Sequence, residues 1–220
     1  MDRWQLALDS LWPLVRAALI GTIPLTLISF ILGLIVAVLI ALAKLSKIRA
    51  LRLFGSFYVS LIRGTPLLVQ IFIIFYVFPF IGIRMDAWTC GIIALTVNVG
   101  GYAAETIRGA ILAVPKGQWE ASATINLDYV TTLRRIILPQ AFKIAVPPLS
   151  NTFISLVKDS SLVSTIGVLE LLRQAQVIAT PTYDFLTLYI EAALIYWAIC
   201  IVLSFAQKRL ENYFDNKATV

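Results

Sequence analysis

Long apolar blocks, separated by short polar segments, follow one another along the whole chain. Each block is close to the roughly 20 residues that an α-helix needs to cross about 30 Å of hydrocarbon. The blocks are too continuously apolar for membrane barrel strands, which alternate over about ten residues. The pattern therefore predicts an all-α integral membrane protein, a single transmembrane domain over residues 1–220 with five spans at about 16–43, 55–80, 88–110, 142–166 and 185–206.

The composition supports this class, because 60% of the residues are hydrophobic and only 14% are charged. Soluble domains have about 25% charged residues. The fourth block is the least regular, since it contains Pro147, Pro148, Lys158 and Asp159. Neighbouring helices can satisfy the backbone groups that prolines leave free in a membrane. The fourth block is therefore still predicted to cross the membrane.

The lysines and arginines are concentrated in every second segment between the predicted spans. The segments after the first, third and fifth spans contain Lys44, Lys47, Arg49, Arg52, Lys116, Arg134, Arg135, Lys208, Arg209 and Lys217. The positive-inside rule assigns these segments to the cytoplasm, which predicts an N-terminus outside and a C-terminus inside. The net charge of +6 is thus a topology signal, and no nucleic-acid partner is expected.

Signatures of catalysis and metal binding are missing from the sequence. It has no histidine, no CxxC pair, no GxxxxGK[ST] phosphate loop and no GxSxG nucleophile turn. Cys90 and Cys200 fall in predicted spans and are interpreted as small core residues. We therefore expect no catalytic site and no metal site, and any work must be driven by an ion gradient or by another subunit.

A polar segment at residues 115–139 interrupts the apolar pattern. Pro115 and Pro139 bracket it, and both can break a membrane helix. The residues predict a short helix over 116–125, a stop at Asn126 in the left-handed C′ position, and a second helix capped by Asp128. From physical chemistry alone, an amphipathic loop lying on anionic lipid explains this helical elbow equally well.

The spacing Glu120-Ala121, Asn126, Ile136, Leu138-Pro139 resembles the EAA loop of permease subunits of ATP-binding-cassette (ABC) importers. That pattern runs Glu-Ala-Ala, three residues, Gly, nine residues, Ile, one residue, Leu-Pro. Ser122 replaces the third small residue, and Asn126 replaces Gly, which it can do because Asn tolerates a positive φ. The chain also resembles the polar amino acid branch of these permeases, in particular its L-cystine type. The similar segments are residues 63–70, 98–111, 116–123, 147–162 and 170–176.

The resemblance implies a type I ABC importer transmembrane fold in a bacterial cytoplasmic (inner) membrane. It implies a second permease copy or a paralogous permease, an extracytoplasmic solute-binding protein and an amino acid substrate. It also implies an ATPase subunit that carries the ATP and Mg, with no cofactor on this chain. The implied ATPase-coupling residues are Glu120, Ala121, Asn126, Arg134, Arg135, Leu138 and Pro139.

Polar side chains inside the spans are the candidates for substrate binding, because such groups are costly in lipid. They are Thr65, Gln70, Asn98, Thr152, Lys158 and Asp159. Asn98 is equally well explained as a contact between helices. The polar interruption of the second span at Arg63, Thr65, Pro66 and Gln70, with a bend expected at Pro66, is interpreted as a gate or a wall of the pocket, and a packing kink is the alternative. The resemblance places Lys158 and Asp159 in the substrate pocket, with an ion pair to a second subunit as the alternative.

Thr152 bears on the choice of substrate. Members of the branch that carry cationic amino acids tend to have Glu at this place, where it can meet a basic side chain. A neutral hydroxyl at Thr152 favours cystine or another neutral polar amino acid.

Three further features leave alternatives open. Residues 168–178 predict a short amphipathic helix lying flat on the outer surface, with Glu170 on its polar side. Glu105 and Arg108 are spaced to pair along one helix, and Glu191 is expected to form a buried hydrogen bond within the fifth span. The competing function is an ion-coupled secondary transporter or channel that uses Glu191, Glu105 or Asp159 as its ion site.

Overall fold

The computed structural model describes residues 3–216, so Lys217, one of the predicted topology cations, lies outside the described residues. This part of the chain is helical throughout. Its α-helices are α1 (Arg3–Ala17), α2 (Ile23–Leu45), α3 (Arg49–Gly64), α4 (Leu67–Phe72), α5 (Ala87–Ala113), α6 (Lys116–Thr124), α7 (Tyr129–Thr132), α8 (Leu138–Asp159), α9 (Leu171–Thr182) and α10 (Phe185–Asn216). Three π turns (Ala18–Thr22, Ile73–Val77, Leu133–Ile137) and two 3-10 segments (Phe78–Ile81, Ser160–Ile166) join some of them.

The helix that contains the first predicted span is longer than residues 16–43. The π turn Ala18–Thr22 connects α1 to α2 without a break, so one helix of 43 residues runs over Arg3–Leu45. Its first part carries charges, which kept it out of the predicted span. That part nevertheless packs through Leu6 and Leu14 against α9 and α10, and the van der Waals contacts of these side chains stabilise it.

The second span is broken and does not run straight over 55–80. It begins at Arg49 in α3, and the following helix over Leu67–Ile81 is bent from α3 by 105°. Thr65 is extended (φ −121°, ψ 143°), as the residue before a proline prefers to be. The bend expected at Pro66 is therefore confirmed, and it is large enough to split the span in two.

Helix α5 lies at the centre of the bundle and packs against α2, α3 and α8. Small residues allow the close approach. A Cβ added at Gly33 would lie 2.6 Å from Val99 Cγ1, and one added at Gly101 would lie 2.6 Å from Ile62 Cγ2. Close packing of small residues is how membrane helices associate without a hydrophobic driving force between them.

Pro139 does not interrupt its helix, contrary to the prediction. The helix is continuous from Tyr129 to Ile166, and Pro139 lies in the first turn of α8, directly after the π turn Leu133–Ile137. The π turn directly before Pro139 shifts the backbone hydrogen bonds, and such local adjustments accommodate a proline within a helix. The helix that contains the fourth predicted span therefore extends well before residue 142 and includes the second helix of the elbow.

Glu170 is buried and fully shielded from solvent, which corrects its assignment to a polar surface. It precedes α9, where its Oε1 accepts a hydrogen bond from the Arg173 backbone N–H at 2.7 Å. Its Oε2 accepts from the Tyr196 hydroxyl at 2.5 Å and from Thr22 Oγ1 at 3.5 Å. The carboxylate thus joins three segments that are distant in sequence.

Glu191 also has its partner on another helix and not within the fifth span. Ser10 Oγ of α1 donates a hydrogen bond to Glu191 Oε2 at 2.6 Å. This contact fixes α1 against α10.

Three helices in the described residues are long and apolar enough to cross a membrane, and the number rises to five if each bent pair forms one span. The bent pairs are α3 with Leu67–Ile81, and Tyr129–Ile166 with α9, the latter at 46°. The predicted five spans correspond to the upper end of this range. The chain is thus a helical multi-pass membrane protein.

Candidate functional site

A polar cavity of about 500 Å³ opens between the broken second span, α5 and α8. Four of the six predicted substrate residues line it: Thr65, Asn98, Thr152 and Asp159. Pockets of roughly 300–1,000 Å³ are typical for small-molecule ligands. The cavity is therefore large enough for an amino acid or for two joined amino acids.

Lys158 and Gln70 do not line this cavity. Lys158 is exposed, because neighbouring residues point about 100° apart on a helix and Asp159 takes the inward direction. Gln70 is 7% exposed and lies behind the cavity wall. The assignment of these two residues to substrate binding stays a prediction, and Gln70 supports the cavity wall through Thr65 and Asn98.

Gln70 closes the break in the second span. Its Nε2 donates to the Ile62 carbonyl at 2.8 Å and to Thr65 Oγ1 at 2.9 Å. Pro66 has no N–H to offer the Ile62 carbonyl, and the Gln70 amide takes its place. Asn98 Nδ2 in turn donates to Gln70 Oε1 at 3.1 Å, so the break is joined to α5.

Sequence reasoning missed several cavity residues, among them Tyr102, Asn151 and Ser155. A signal for them was present in the sequence. Ser155 follows Thr152 by three residues and Asn151 by four, and Tyr102 follows Asn98 by four, which are the spacings that share a helix face.

An ion cluster ties α2 to α5. Glu105 pairs with Arg108 as predicted, with Arg108 Nη2 at 2.9 Å from Glu105 Oε2. It also pairs with Lys44 at the end of α2, a partner that the sequence spacing did not reveal. Both oxygens of Glu105 are therefore engaged by cations within the chain.

The elbow between α6 and α7 is built around a left-handed residue. Asn126 has φ 56°, and its N–H donates to the Ala123 carbonyl at 3.0 Å while the Leu127 N–H donates to the Ser122 carbonyl at 3.1 Å. This pair of bonds is the Schellman motif, which ends a helix with a left-handed C′ residue. The prediction for Asn126 is confirmed.

The second helix of the elbow begins with a side-chain cap. Asp128 Oδ2 accepts a hydrogen bond from the Thr131 backbone N–H at 3.0 Å, as predicted, and hydrogen bonding from Thr131 lowers the pKa of Asp128. The rings of Trp119 and Tyr129 stack across the elbow with centroids 5.6 Å apart. Stacking holds α6 against α7, so the elbow is an ordered structure.

The predicted coupling residues of the elbow are exposed: Glu120, Ala121, Asn126, Arg134, Arg135, Leu138 and Pro139. Ser122, at the place of the third small residue, is buried, and its hydroxyl donates to the Gln118 carbonyl at 2.6 Å. The exposed set thus forms a surface available to a partner.

Of the two cysteines, Cys90 is buried in the core and Cys200 is partly exposed. No group of three or more potential metal ligands occurs among the side chains that the structure describes, residues 3–213.

A helical multi-pass protein with a polar cavity inside the bundle and an ordered elbow at one end has the architecture of a transport permease. The sequence profile of the family described as "Binding-protein-dependent transport system inner membrane component" matches residues 29–215. The chain belongs to this family. Together with the relatives below, this makes it an ABC importer permease of the polar amino acid branch.

Two curated relatives come from Bacillus subtilis (strain 168). The L-cystine transport system permease protein TcyB is 54% identical over 213 residues, which cover 96% of this chain and 91% of TcyB. The probable amino-acid ABC transporter permease protein YckA is 42% identical over 210 residues, 96% of this chain and 92% of YckA. Both alignments include nearly all of the structure described above.

Solved structures share the fold. A chain of an amino acid ABC transporter crystallised with histidines superposes with a TM-score of 0.90 at 36% identity, covering 97% of this chain and 99% of that one. A chain of the MetNI methionine ABC transporter superposes with a TM-score of 0.70 at 21% identity, covering 96% and 97%. At that identity the second likeness shows the fold alone.

Proposed function

We propose that the chain forms half of the translocation pathway of an ATP-driven importer for L-cystine or another neutral polar amino acid. Its partners are a second copy or a paralogous permease, a solute-binding protein outside the cell and an ATPase subunit inside that carries ATP and Mg. The N-terminus lies outside and the C-terminus inside a bacterial cytoplasmic membrane, as the cation distribution favours. The chain itself has no catalytic role.

The observation that carries the proposal is the charge pattern of the cavity. Its lining includes a single ionisable carboxyl, that of Asp159, and no lysine or arginine, while Thr152 contributes a neutral hydroxyl. Asp159 complements one ammonium group of a zwitterion, and a second anion for a basic side chain is missing at residue 152. The 54% identity with an L-cystine permease supports the same substrate.

A change at Thr152 tests the substrate. We predict that Thr152→Glu lowers uptake of L-cystine and raises uptake of L-arginine relative to wild type, because it adds an anion beside Asp159 in the cavity. Thr152→Gln is the matched control, with the same size and no charge. Uptake is measured in proteoliposomes containing the whole transporter, with the binding protein bypassed by high substrate concentration. An equal response to both substitutions contradicts the assignment of Thr152 to specificity.

Coupling to ATP hydrolysis is assigned to the elbow. Its exposed Glu120, Arg134 and Arg135 offer charges of both signs beside exposed Leu138, a combination suited to a protein partner. Closure of two ATPase subunits would draw two such elbows together and tilt the attached helices. Continuity of the second elbow helix with α8 provides a rigid connection from the partner surface to Thr152 and Asp159.

Charge reversal at Glu120 tests the coupling. We predict that Glu120→Lys uncouples uptake from ATP hydrolysis and weakens recovery of the ATPase subunit in a detergent pull-down, while membrane insertion is unchanged. Gln118→Lys is the matched control, because it adds a lysine at another exposed position of α6, about 200° around the helix. Normal uptake with Glu120→Lys would remove the elbow from the coupling mechanism.

The alternative of ion-coupled transport has less support. Glu105 is engaged by Lys44 and Arg108, and Glu191 accepts a hydrogen bond from Ser10. Asp159 remains as a candidate ion site, but the family to which the chain belongs is one of binding-protein-dependent transport.

A further inference from the structure

Gln70 occupies an unusual place for a polar side chain. It is 7% exposed, in the wall between the break of the second span and the cavity. Every polar atom of its amide is used: Nε2 contacts the Ile62 carbonyl, the Thr65 carbonyl and Thr65 Oγ1, and Oε1 contacts Asn98. A buried amide with all its hydrogen bonds made has a fixed position.

The partners also fix which end of the amide points where. Both carbonyl oxygens at the break can only accept. The Thr65 hydroxyl gives its own hydrogen to the Leu61 carbonyl at 2.8 Å, so toward Gln70 it too can only accept. The NH₂ group of Gln70 must therefore face the break, and its oxygen must face Asn98.

The orientation of the Gln70 amide determines that of the Asn98 amide. Because Gln70 presents an oxygen, Asn98 must turn its NH₂ group toward Gln70, at 3.1 Å, and its own oxygen away from it. Among the side chains that the structure describes, up to residue 213, none forms a hydrogen bond with Asn98 Oδ1, and no buried polar side-chain atom there is left unpartnered. The oxygen is therefore accessible, on a residue that lines the cavity.

Two other residues that line the cavity, Thr152 and Asp159, also present hydrogen-bond acceptors. The Thr152 hydroxyl donates to the Pro148 carbonyl at 2.9 Å, which leaves only its lone pairs for a ligand. The Asp159 carboxylate can only accept when ionised. Asn98, Thr152 and Asp159 thus line the cavity with hydrogen-bond acceptors, which suits an ammonium group.

We propose that Gln70 is a positioning residue that orients the Asn98 amide so that its oxygen receives the α-ammonium group of the substrate. The inference rests on the proposed function, because it takes an amino acid as the occupant of the cavity. It assigns Gln70 to substrate recognition through Asn98 and not through direct contact.

The test compares L-cystine with 3,3′-dithiodipropionic acid, the same disulfide diacid without α-amino groups. Affinities of both are measured calorimetrically on the purified permease–ATPase complex without binding protein. Gln70→Met and Asn98→Ala should each weaken cystine binding on the order of tenfold, the effect of one hydrogen bond to a charged group. Binding of dithiodipropionate should be unchanged, and the double variant should be no worse than either single one.

The outcomes separate recognition from structure. Equal losses for both ligands in Gln70→Met, or additive losses in the double variant, would show that Gln70 only holds the helices together. Gln70→Asn, which keeps an amide but shortens the side chain by one methylene, replaces Gln70→Met if that variant does not assemble, and it should show the same loss for cystine alone. If the wild-type complex binds neither ligand, cystine is not the substrate, and the inference is wrong for cystine whatever the role of Gln70.

Discussion

Asn126 offers a direct test of the elbow, because it is one of two non-glycine residues with positive φ in the described chain. We predict that Asn126→Val opens the elbow and that Asn126→Gly leaves it closed. Valine is β-branched and is strongly disfavoured at φ 56°. Glycine adopts this conformation freely, and it is the residue of the EAA pattern at this place.

The expected magnitude follows from the geometry of the turn. An L-residue in the left-handed region costs roughly 1–2 kcal/mol, and Asn offsets part of this through its short polar side chain. Valine has no polar side chain to offset this cost. In the variant, the two Schellman hydrogen bonds from residues 126 and 127 would therefore form against the full cost of the left-handed conformation. A change of one or two kcal/mol alters an equilibrium by about 5–30-fold.

Limited trypsin digestion of the detergent-solubilised protein measures this opening. Arg134 and Arg135 are exposed but lie in a helix, so cleavage requires local unfolding. When opening is fast relative to cleavage, the rate follows the population of the open form. Cleavage at these two residues should rise about 5–30-fold with Asn126→Val and remain near the wild-type rate with Asn126→Gly.

Cleavage after Lys208 and Arg209, at exposed residues of α10, serves as the internal control and should not change. The reasoning is refuted if Asn126→Val and Asn126→Gly are cleaved at the same rate. An increase at all sites alike would indicate global unfolding and would also contradict a local effect.

Two predictions concern the bundle. Tyr196→Phe should lower the free energy of unfolding by about 1–3 kcal/mol, because it removes a hydrogen bond to the buried Glu170 carboxylate; an unchanged unfolding midpoint in a detergent titration would exclude that role. Gly101→Ala should cost about 1–3 kcal/mol by overpacking, since the new Cβ would lie 2.6 Å from Ile62 Cγ2. Adding Ile62→Ala should recover part of this loss, and failure to recover any would place the strain elsewhere.

The features that depend on local chemistry were predictable from the sequence. Apolar length gives the spans, the tolerance of Asn126 for positive φ gives the turn of the elbow, and Asp128 gives its cap. Proline effects were only half predictable: Pro66 bends its span, but Pro139 follows a π turn within a continuous helix and does not break it. Whether a proline breaks a helix depends on the hydrogen bonds around it, which composition does not reveal.

Features that depend on distant contacts were not predictable. Glu170 looked like part of a polar helix face, yet its partners Thr22 and Tyr196 bury it. The cavity was only partly predicted, because the polarity of a residue does not tell whether it lines the space or supports its wall. Gln70 and Asp159 are both polar residues within spans, and only the packing of the helices separates their positions.

The contacts of α1 have a consequence for how the protein is assembled during synthesis. Helix α1 is synthesised long before α9 and α10, yet it contacts this later part of the chain through Arg3 with Asp184 at 3.4 Å and Ser10 with Glu191 at 2.6 Å. Ser10 and Glu191 are 181 residues apart in sequence. Helix α1 must therefore wait without these neighbours while the intervening chain is translated, and it can dock against α10 only after α10 has been inserted.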